Sequence, residues 1–202
     1  MDSAADNIIG LYDRNAGLWD SSRGKTLFEA AWLDRFLALV PAGGTILDIG
    51  CGSGEPIARH VVQCGYRVTG IDSSETLITL CRQRMPDHDW HVADMRRLSL
   101  GTRFDGLIAW DSFFHLTVED QRAMFPVFRA HAGAGTPLMF TSGPDHGEAM
   151  GEFGGEPLYH ASLAPDEYRA LLDANHFEVV DFRPEDPDCG GHTIWLARQA
   201  SG

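Results

Sequence analysis

Apolar positions along the chain change period near residue 45. Before it, Leu27, Phe28, Ala31, Trp32, Phe36, Leu37 and Val40 recur at helical spacing from Lys25 to Val40, and Pro41 with Gly43-Gly44 ends the run. A shorter helical segment from Ala4 to about Asn15 carries Ile8, Ile9, Leu11 and Tyr12. Residues 12–23 mix polar and aromatic side chains without clean periodicity; packing of Tyr12 and Trp19 into a core is the simplest account of those rings. After residue 45, short apolar runs at 46–49, 66–71, 90–93, 104–110 and 137–141 read as strands. Helices fall between them: 57–64, closed by Gly65, and one capped by Ser73 or Ser74 that runs to Arg84 before Pro86. Thr117-Val118-Glu119-Asp120 opens another to about His131, which Pro126 should kink or shorten. Residues 145–163, rich in Gly, Glu and His, read as loop; Pro165 starts a helix to about Asn175, and 177–182 and 192–197 are the last two strands.

Strands alternating with helices predict an α/β fold, a doubly wound parallel sheet. The last two strands have no helix between them and should be antiparallel neighbours. No repeat, low-complexity tract or long linker divides the chain, so one domain is expected over 1–202, a helical cap (1–44) followed by the core (45–202).

Charge narrows the function. With 16 Lys+Arg against 29 Asp+Glu the net charge is −13, and no dense basic patch offsets it. Such a surface repels nucleic-acid backbones and anionic membranes. Four cysteines show neither disulfide nor metal spacing, and the histidines His146, His160 and His192 lack a metal-ligand pattern. The N-terminus has no basic leader and no apolar run reaches membrane length, so a soluble, cytoplasmic protein is expected, a monomer or homodimer.

The chemistry gathers at one stretch. Ile46-Leu47-Asp48-Ile49 leads into Gly50, Gly52 and Gly54 at alternate positions, and a helix follows. A strand, a tight glycine turn and a helix start bring backbone close to a ligand, with turn N–H groups and helix end forming a positive pocket. Asp48, Asp72, Asp94 and Asp111 all fall at or near strand ends, where ligands of such sheets bind. Each alone reads as a turn former or helix cap; together they suit a ligand. Asp72 is placed to accept both hydroxyls of a ribose, and Asp94, followed by Met95, to take the exocyclic amine of adenine. A nucleoside without phosphate fits these acids better than a dinucleotide.

On these residues the chain resembles, over nearly its whole length, the class I S-adenosylmethionine-dependent methyltransferases of small-molecule type. D-I-G-C-G-S-G (48–54) is similar to their glycine motif, V-T-G-I-D-S-S (68–74) to the ribose-binding strand end, V-A-D-M (92–95) to the adenine motif, and F-D-G-L-I-A-W-D-S-F-F-H-L (104–116) to the fourth strand and its loop. The resemblance implies a Rossmann-like seven-stranded sheet of order 3-2-1-4-5-7-6 with its last strand antiparallel, an N-terminal helical lid, and S-adenosylmethionine as cofactor. It implies that Gly50, Cys51, Gly52 and Gly54 line the cofactor beside Asp48, that Asp72 and Ser73 meet the ribose, and that Asp94 and Met95 hold adenine. The Trp110 carbonyl, next to Asp111, would meet the methionine amine. Y-D-x-x-A-x-x-W-D-x-x-R (12–23) is similar to a lid segment, which would put Tyr12, Trp19 and Arg23 near the methionine, Arg23 on its carboxylate.

A sulfonium methyl is already activated, so alignment and water exclusion carry most of the catalysis. If the acceptor must lose a proton, His115 is the first choice of base, with His160 and Tyr159 as further candidates beside the acceptor pocket. Two rivals remain. A nicotinamide-dependent oxidoreductase needs G-x-G-x-x-G, but Glu55 follows Gly54 and the third glycine is missing. A non-catalytic S-adenosylmethionine-binding module is countered by the polar and aromatic stretch 143–162, which suits a small-molecule acceptor; another reaction of the same cofactor is a third possibility. The acceptor atom stays open.

Overall fold

The computed structural model describes residues 5, 7–24 and 26–200. Ala4 and Lys25, the expected starts of the first two helices, lie outside them. Helices α1 (Ile8–Arg14), α2 (Ala16–Ser22) and α3 (Ala30–Leu37) precede β1 (Thr45–Ile49). Then come α4 (Ile57–Gln63), β2 (Arg67–Asp72), α5 (Glu75–Arg84), β3 (Asp89–Val92), β4 (Gly106–Ala109), α6 (Val118–His131) and β5 (Pro137–Ser142). A hairpin of β6 (Gly147–Phe153) and β7 (Glu156–Ser162) follows, then α7 (Pro165–Ala174), β8 (Phe177–Asp186) and β9 (His192–Gln199).

Seven strands form one sheet in the order β3-β2-β1-β4-β5-β9-β8. Strands β1 to β5 run parallel, and β9 is antiparallel to both β5 and β8. This is the expected order once the hairpin strands are counted. Apolar residues on both faces explain it: every position of β4 and β5 is buried, as a sheet covered on two sides requires. On one face Trp32, Phe36, Ile46, Val68, Ile108 and Met139 pack together. On the other, Leu47, Ile49 and Leu107 meet an aromatic cluster of Phe113, Phe125, Phe128, Phe140, Tyr168 and Trp195. Phe140 and Trp195 are register partners across β5 and β9, their rings stacked 5.8 Å apart.

Three expectations need correction. Residues 145–163 are not a loop: 147–162 form the two-stranded antiparallel sheet, turned at Gly154-Gly155 with φ of +61° and +79°. Strand β6 is solvent-exposed from Gly147 to Glu152, so no alternation marked it; the Gly-Gly pair, which supplies the two positive φ angles of a tight hairpin turn, was its only local sign. Residues 16–22 are helical although they bury only Ala16. Pro126 does not shorten α6, which runs unbroken to His131 with Phe125 and Phe128 in the core. No helix among the described residues is long and apolar enough to cross a membrane.

Candidate active site

The carboxyl ends of β1, β2, β3 and β4 open into a cleft of about 780 Å³, its mouth included. That is within the range of small-molecule sites. Its walls bring together Tyr12 and Trp19 from α1 and α2, Gly50 and Gly52 from the glycine turn, Asp72, Ser73, Asp94 and Met95 from the next two strand ends, and Asp111 and His115 after β4. Sequence reasoning missed Ile8, Ile9, Leu77, Arg96, Ser112, Leu116, Thr117 and Asp120, which also line it. Most of these are ordinary helix residues whose role depends on which face turns toward the sheet.

The turn itself is built differently from the expectation. Gly50 and Cys51 donate their N–H groups to the Ile71 carbonyl (2.8 and 2.9 Å), Gly52 donates to Asp72 Oδ2 (2.9 Å), and Gly54 to the Cys51 carbonyl (3.0 Å). Four of the amides that were to form a positive pocket are thus spent inside the fold. Gly52 has φ +56°, and a Cβ there would stand 2.4 Å from the Trp19 ring. Cys51 is buried and does not reach the cleft wall; its thiol, like that of Cys81, faces the Gly52 carbonyl. Gly54 faces Met85 and Cys81 of the core.

Asp72 accepts from Gly52 N through one oxygen and from Ser74 N through the other, both at 2.9 Å. Burial pushes its pKa up against the pull of those bonds. Ser74, not Ser73, caps α5: its hydroxyl accepts from Leu77 N and donates to Asp13. Asp94 caps the turn at Met95–Arg97 and is gripped by the Arg96 guanidinium at 2.7 Å. Burial works against its charge, but Arg96 outweighs that and its pKa is lowered.

Asp48 lies below the turn, 4% exposed, off the cleft wall. Its carboxylate accepts no hydrogen bond among the described residues. Burial first, and then the neighbouring Asp72, pushes its pKa up to about 7. Arg23 is also off the wall. It pairs with Glu29 at 2.6 Å, a carboxylate held in the interior, so its cation is already committed within the chain. The Trp110 ring is buried and stacks on His192; its carbonyl, the group expected at the methionine amine, lies between β4 and Asp111 of the cleft wall.

At the far end His115 Nδ1 lies 2.8 Å from the Tyr159 carbonyl, and Nε2 2.9 Å from the Tyr12 hydroxyl. A carbonyl only accepts, so Nδ1 carries the proton and Tyr12 donates to Nε2. Burial lowers the His115 pKa to about 4 and the ring is neutral. The Tyr12 phenol is raised by burial and by Asp111 and Asp72, and stays protonated. His160 stands beside His115, ring centroids 4.8 Å apart, but lines a second groove of about 690 Å³ under the hairpin together with Phe114 and Pro144. Tyr159 contributes its carbonyl, while its phenol bonds to Glu148. No group of three or more His, Cys, Asp or Glu among the described residues could hold a metal ion.

The hairpin reaches back over this end. Phe153 stacks on Tyr12 (5.8 Å), and Glu156 takes Arg14 and Asn15 at the α1–α2 junction.

Comparison with known proteins agrees with this layout. A family described as a methyltransferase domain matches residues 46–135. The dTDP-3-amino-3,4,6-trideoxy-alpha-D-glucopyranose N,N-dimethyltransferase of Streptomyces venezuelae is 31% identical over 97 residues, 47% of this chain and 40% of that protein. The 27-O-demethylrifamycin SV methyltransferase of Amycolatopsis mediterranei is 34% identical over 128 residues, 57% of this chain and 47% of that one. The matched stretch is thus less than half the length of either relative. Among solved structures, magnesium protoporphyrin IX methyltransferase of Synechocystis superposes with a TM-score of 0.75 at 16% identity, covering 99% of both chains. An S-adenosylmethionine-bound amino pentose methyltransferase of Micromonospora echinaspora gives 0.72 at 20%, covering 93% of this chain and 96% of that one. With the glycine turn, the strand-end carboxylates and the sheet order in place, the chain has the fold of these methyltransferase structures, and its residues 46–135 match a methyltransferase domain.

Proposed function

We propose that the chain binds S-adenosylmethionine in the cleft and transfers its methyl group to a small-molecule acceptor. The observation that carries this is a set of strand-end carboxylates, Asp72, Asp94 and Asp111, around a glycine turn in which the amides of Gly50, Cys51, Gly52 and Gly54 are already bonded within the fold. Such a site suits a cationic nucleoside and rejects a pyrophosphate, which disfavours the nicotinamide reading. Asp48 supports the same choice: a buried carboxylate without a hydrogen-bond partner has its missing partner in a ligand ammonium.

In this reading Asp72 and Ser73 hold the ribose, and Asp94 with Met95 the adenine. Gly50 and Gly52 form the floor and Trp19 the cover. Once bound, the cofactor supplies a methyl group already activated by the sulfonium. The chain's own part is to seat the acceptor, exclude water and hold protons in place. Tyr12 does the last through a fixed tautomer, its hydroxyl donating to His115 and leaving its lone pairs for an acceptor O–H or N–H. Neutral His115 is a weak base, so it serves as an orienting partner of Tyr12. The helices α1 and α2 act as a lid and the hairpin covers the acceptor pocket. The relatives' names include both nitrogen and oxygen acceptors and do not fix the atom. A soluble, cytoplasmic setting without nucleic acid fits the charge of −13.

The test is calorimetric titration with S-adenosylmethionine, S-adenosylhomocysteine and NAD, repeated on Asp72→Ala. Micromolar binding of the first two, absent for NAD and lost in the variant, is expected. Binding of neither sulfur ligand refutes the reading, and tight NAD binding replaces it with the dehydrogenase.

A further inference from the structure

Asp111 and His192 stand 81 residues apart in sequence and meet at the cleft wall, which Asp111 lines. Asp111, just past β4, has φ +48°, a strained angle for a residue with a side chain. Its N–H donates to Thr141 Oγ1 (2.9 Å), and its carboxylate lies 3.0 and 3.2 Å from His192 Nε2. His192 Nδ1 lies 2.8 Å from the Cys189 carbonyl. Both ring nitrogens therefore face atoms that can only accept, so both carry protons and the ring is an imidazolium. It sits between Trp110 and Phe28, centroids 5.6 and 5.3 Å away, an aromatic slot that suits a cation. The sheet needs none of this, since β5 and β9 pair through their own backbones. What the arrangement does is hold a carboxylate, 30% exposed, toward the cleft beside Tyr12 and His115.

We propose that Asp111 anchors an amino group of the methyl acceptor and that His192 is the residue that positions it; this rests on the methyltransferase reading above. The charges around the cleft favour an amine. Asp72, Asp94, Asp111 and Asp120 line it, and its one lining Arg or Lys among the described residues, Arg96, is held at the other end by Asp94 and Asp120. An acceptor carrying phosphate or carboxylate would meet only carboxylates where Asp111 stands. An amine can donate to Asp111 and to the oxygen of Tyr12, whose own proton is turned toward His115. Asp111 is assigned to the second substrate because it lines the cleft beside Tyr12 and His115, the groups at hand to meet an acceptor.

The groups facing His192 are Asp111 after β4, Cys189 in the turn before β9, and Glu29 ahead of α3; Arg23 lies 5.3 Å over Phe28. The hydrogen bond to Asp111 is the main cause raising the His192 pKa. Seating of an amine should accordingly weaken as pH rises through the His192 titration.

The probes are benzylamine, benzyl alcohol and benzoate, titrated by calorimetry into the complex with S-adenosylhomocysteine for wild type, Asp111→Asn and His192→Asn. Wild type should favour benzylamine over the alcohol by about ten-fold, the scale of one charge-assisted hydrogen bond, and bind no benzoate. Asp111→Asn should erase the preference, and His192→Asn should shrink it and remove its pH dependence. NMR of the His192 ring should show its titration falling in Asp111→Asn. Unchanged S-adenosylhomocysteine affinity in both variants certifies an intact cleft. Equal binding of the probes, or a preference kept in Asp111→Asn, overturns the proposal. So does a loss of S-adenosylhomocysteine affinity with 5′-methylthioadenosine unaffected, because the amine is then the cofactor's own. Failure of wild type to bind S-adenosylhomocysteine at all would instead refute the methyltransferase reading.

Discussion

Asp48→Asn should stabilise the protein at alkaline pH. The carboxyl is buried in β1 without a hydrogen bond, and its pKa stands at about 7 against 3.8 when unperturbed. An acid raised on folding holds its proton more tightly in the native state. Its stabilising contribution is complete below about pH 4 and is lost as pH climbs through 7. At about 1.4 kcal/mol per unit, the ionised native state at pH 8 carries a burden of about 4 kcal/mol. Asn has the same shape and no charge, so the variant should match wild type near pH 4 and exceed it at pH 8. For a chain of this size that is a gain of roughly 8–16 °C in Tm, an upper figure because the site can relax. His115 has the opposite sign: its pKa is depressed to about 4 from 6.5, so its contribution is present above 6.5 and is lost as pH falls toward 4. Between pH 4 and 6.5 the two slopes oppose, and the wild-type profile should look flat there. Removing Asp48 exposes the His115 slope, with stability rising with pH. Thermal melts from pH 4.5 to 8.5 measure this, and an Asn variant that tracks wild type throughout would refute the burial argument. A ligand ammonium beside Asp48 should also expel its proton. At pH 6 the calorimetric enthalpy of S-adenosylhomocysteine binding should then depend on the buffer in wild type and not in the variant.

Two further outcomes follow from the cleft walls. Gly52→Ala puts a Cβ 2.4 Å from Trp19 at φ +56°, so the indole must move; S-adenosylhomocysteine affinity should fall about ten-fold or more and tryptophan fluorescence should shift to the red. Phe153→Ala removes the hairpin's stack on Tyr12, and hydrogen exchange should quicken across α1 and α2 with little change in the sheet.

That Asp72, Asp94 and Gly52 share one cleft was legible because their placement is local. Asp72 is the last residue of its strand, Asp94 caps the turn that follows its own, and Gly52 follows β1 by three residues, so strand ends alone bring them together. The transfer end was not, because it is made of distant pairs. Tyr12 meets His115 across 103 residues and Asp111 meets His192 across 81, and no spacing rule encodes either. Arg23 shows the converse. Its place in a lid-like segment predicted a ligand contact, yet Glu29, six residues on, takes its charge. The turn amides failed for a simpler reason: sequence shows that glycines permit a tight loop but not where its N–H groups point.

That division has a physical consequence. Asp72 and Asp94 stand at or just past the ends of strands in the seven-stranded sheet, whereas Tyr12 and Trp19 lie on two short helices of seven residues each. Helices of that length are not stable alone and rely on what packs against them. Here that support is shared between α5, through Ser74 on Asp13 and Arg84 on Asp20, and the hairpin, through Phe153 and Glu156; the hairpin also lends the Tyr159 carbonyl that fixes the His115 tautomer. The hairpin between β5 and α7 therefore touches both α1, through Phe153 on Tyr12, and the proton arrangement of His115. Changes in it should alter which acceptor is methylated while leaving the nucleoside site intact, since no strand end that carries Asp72 or Asp94 depends on it.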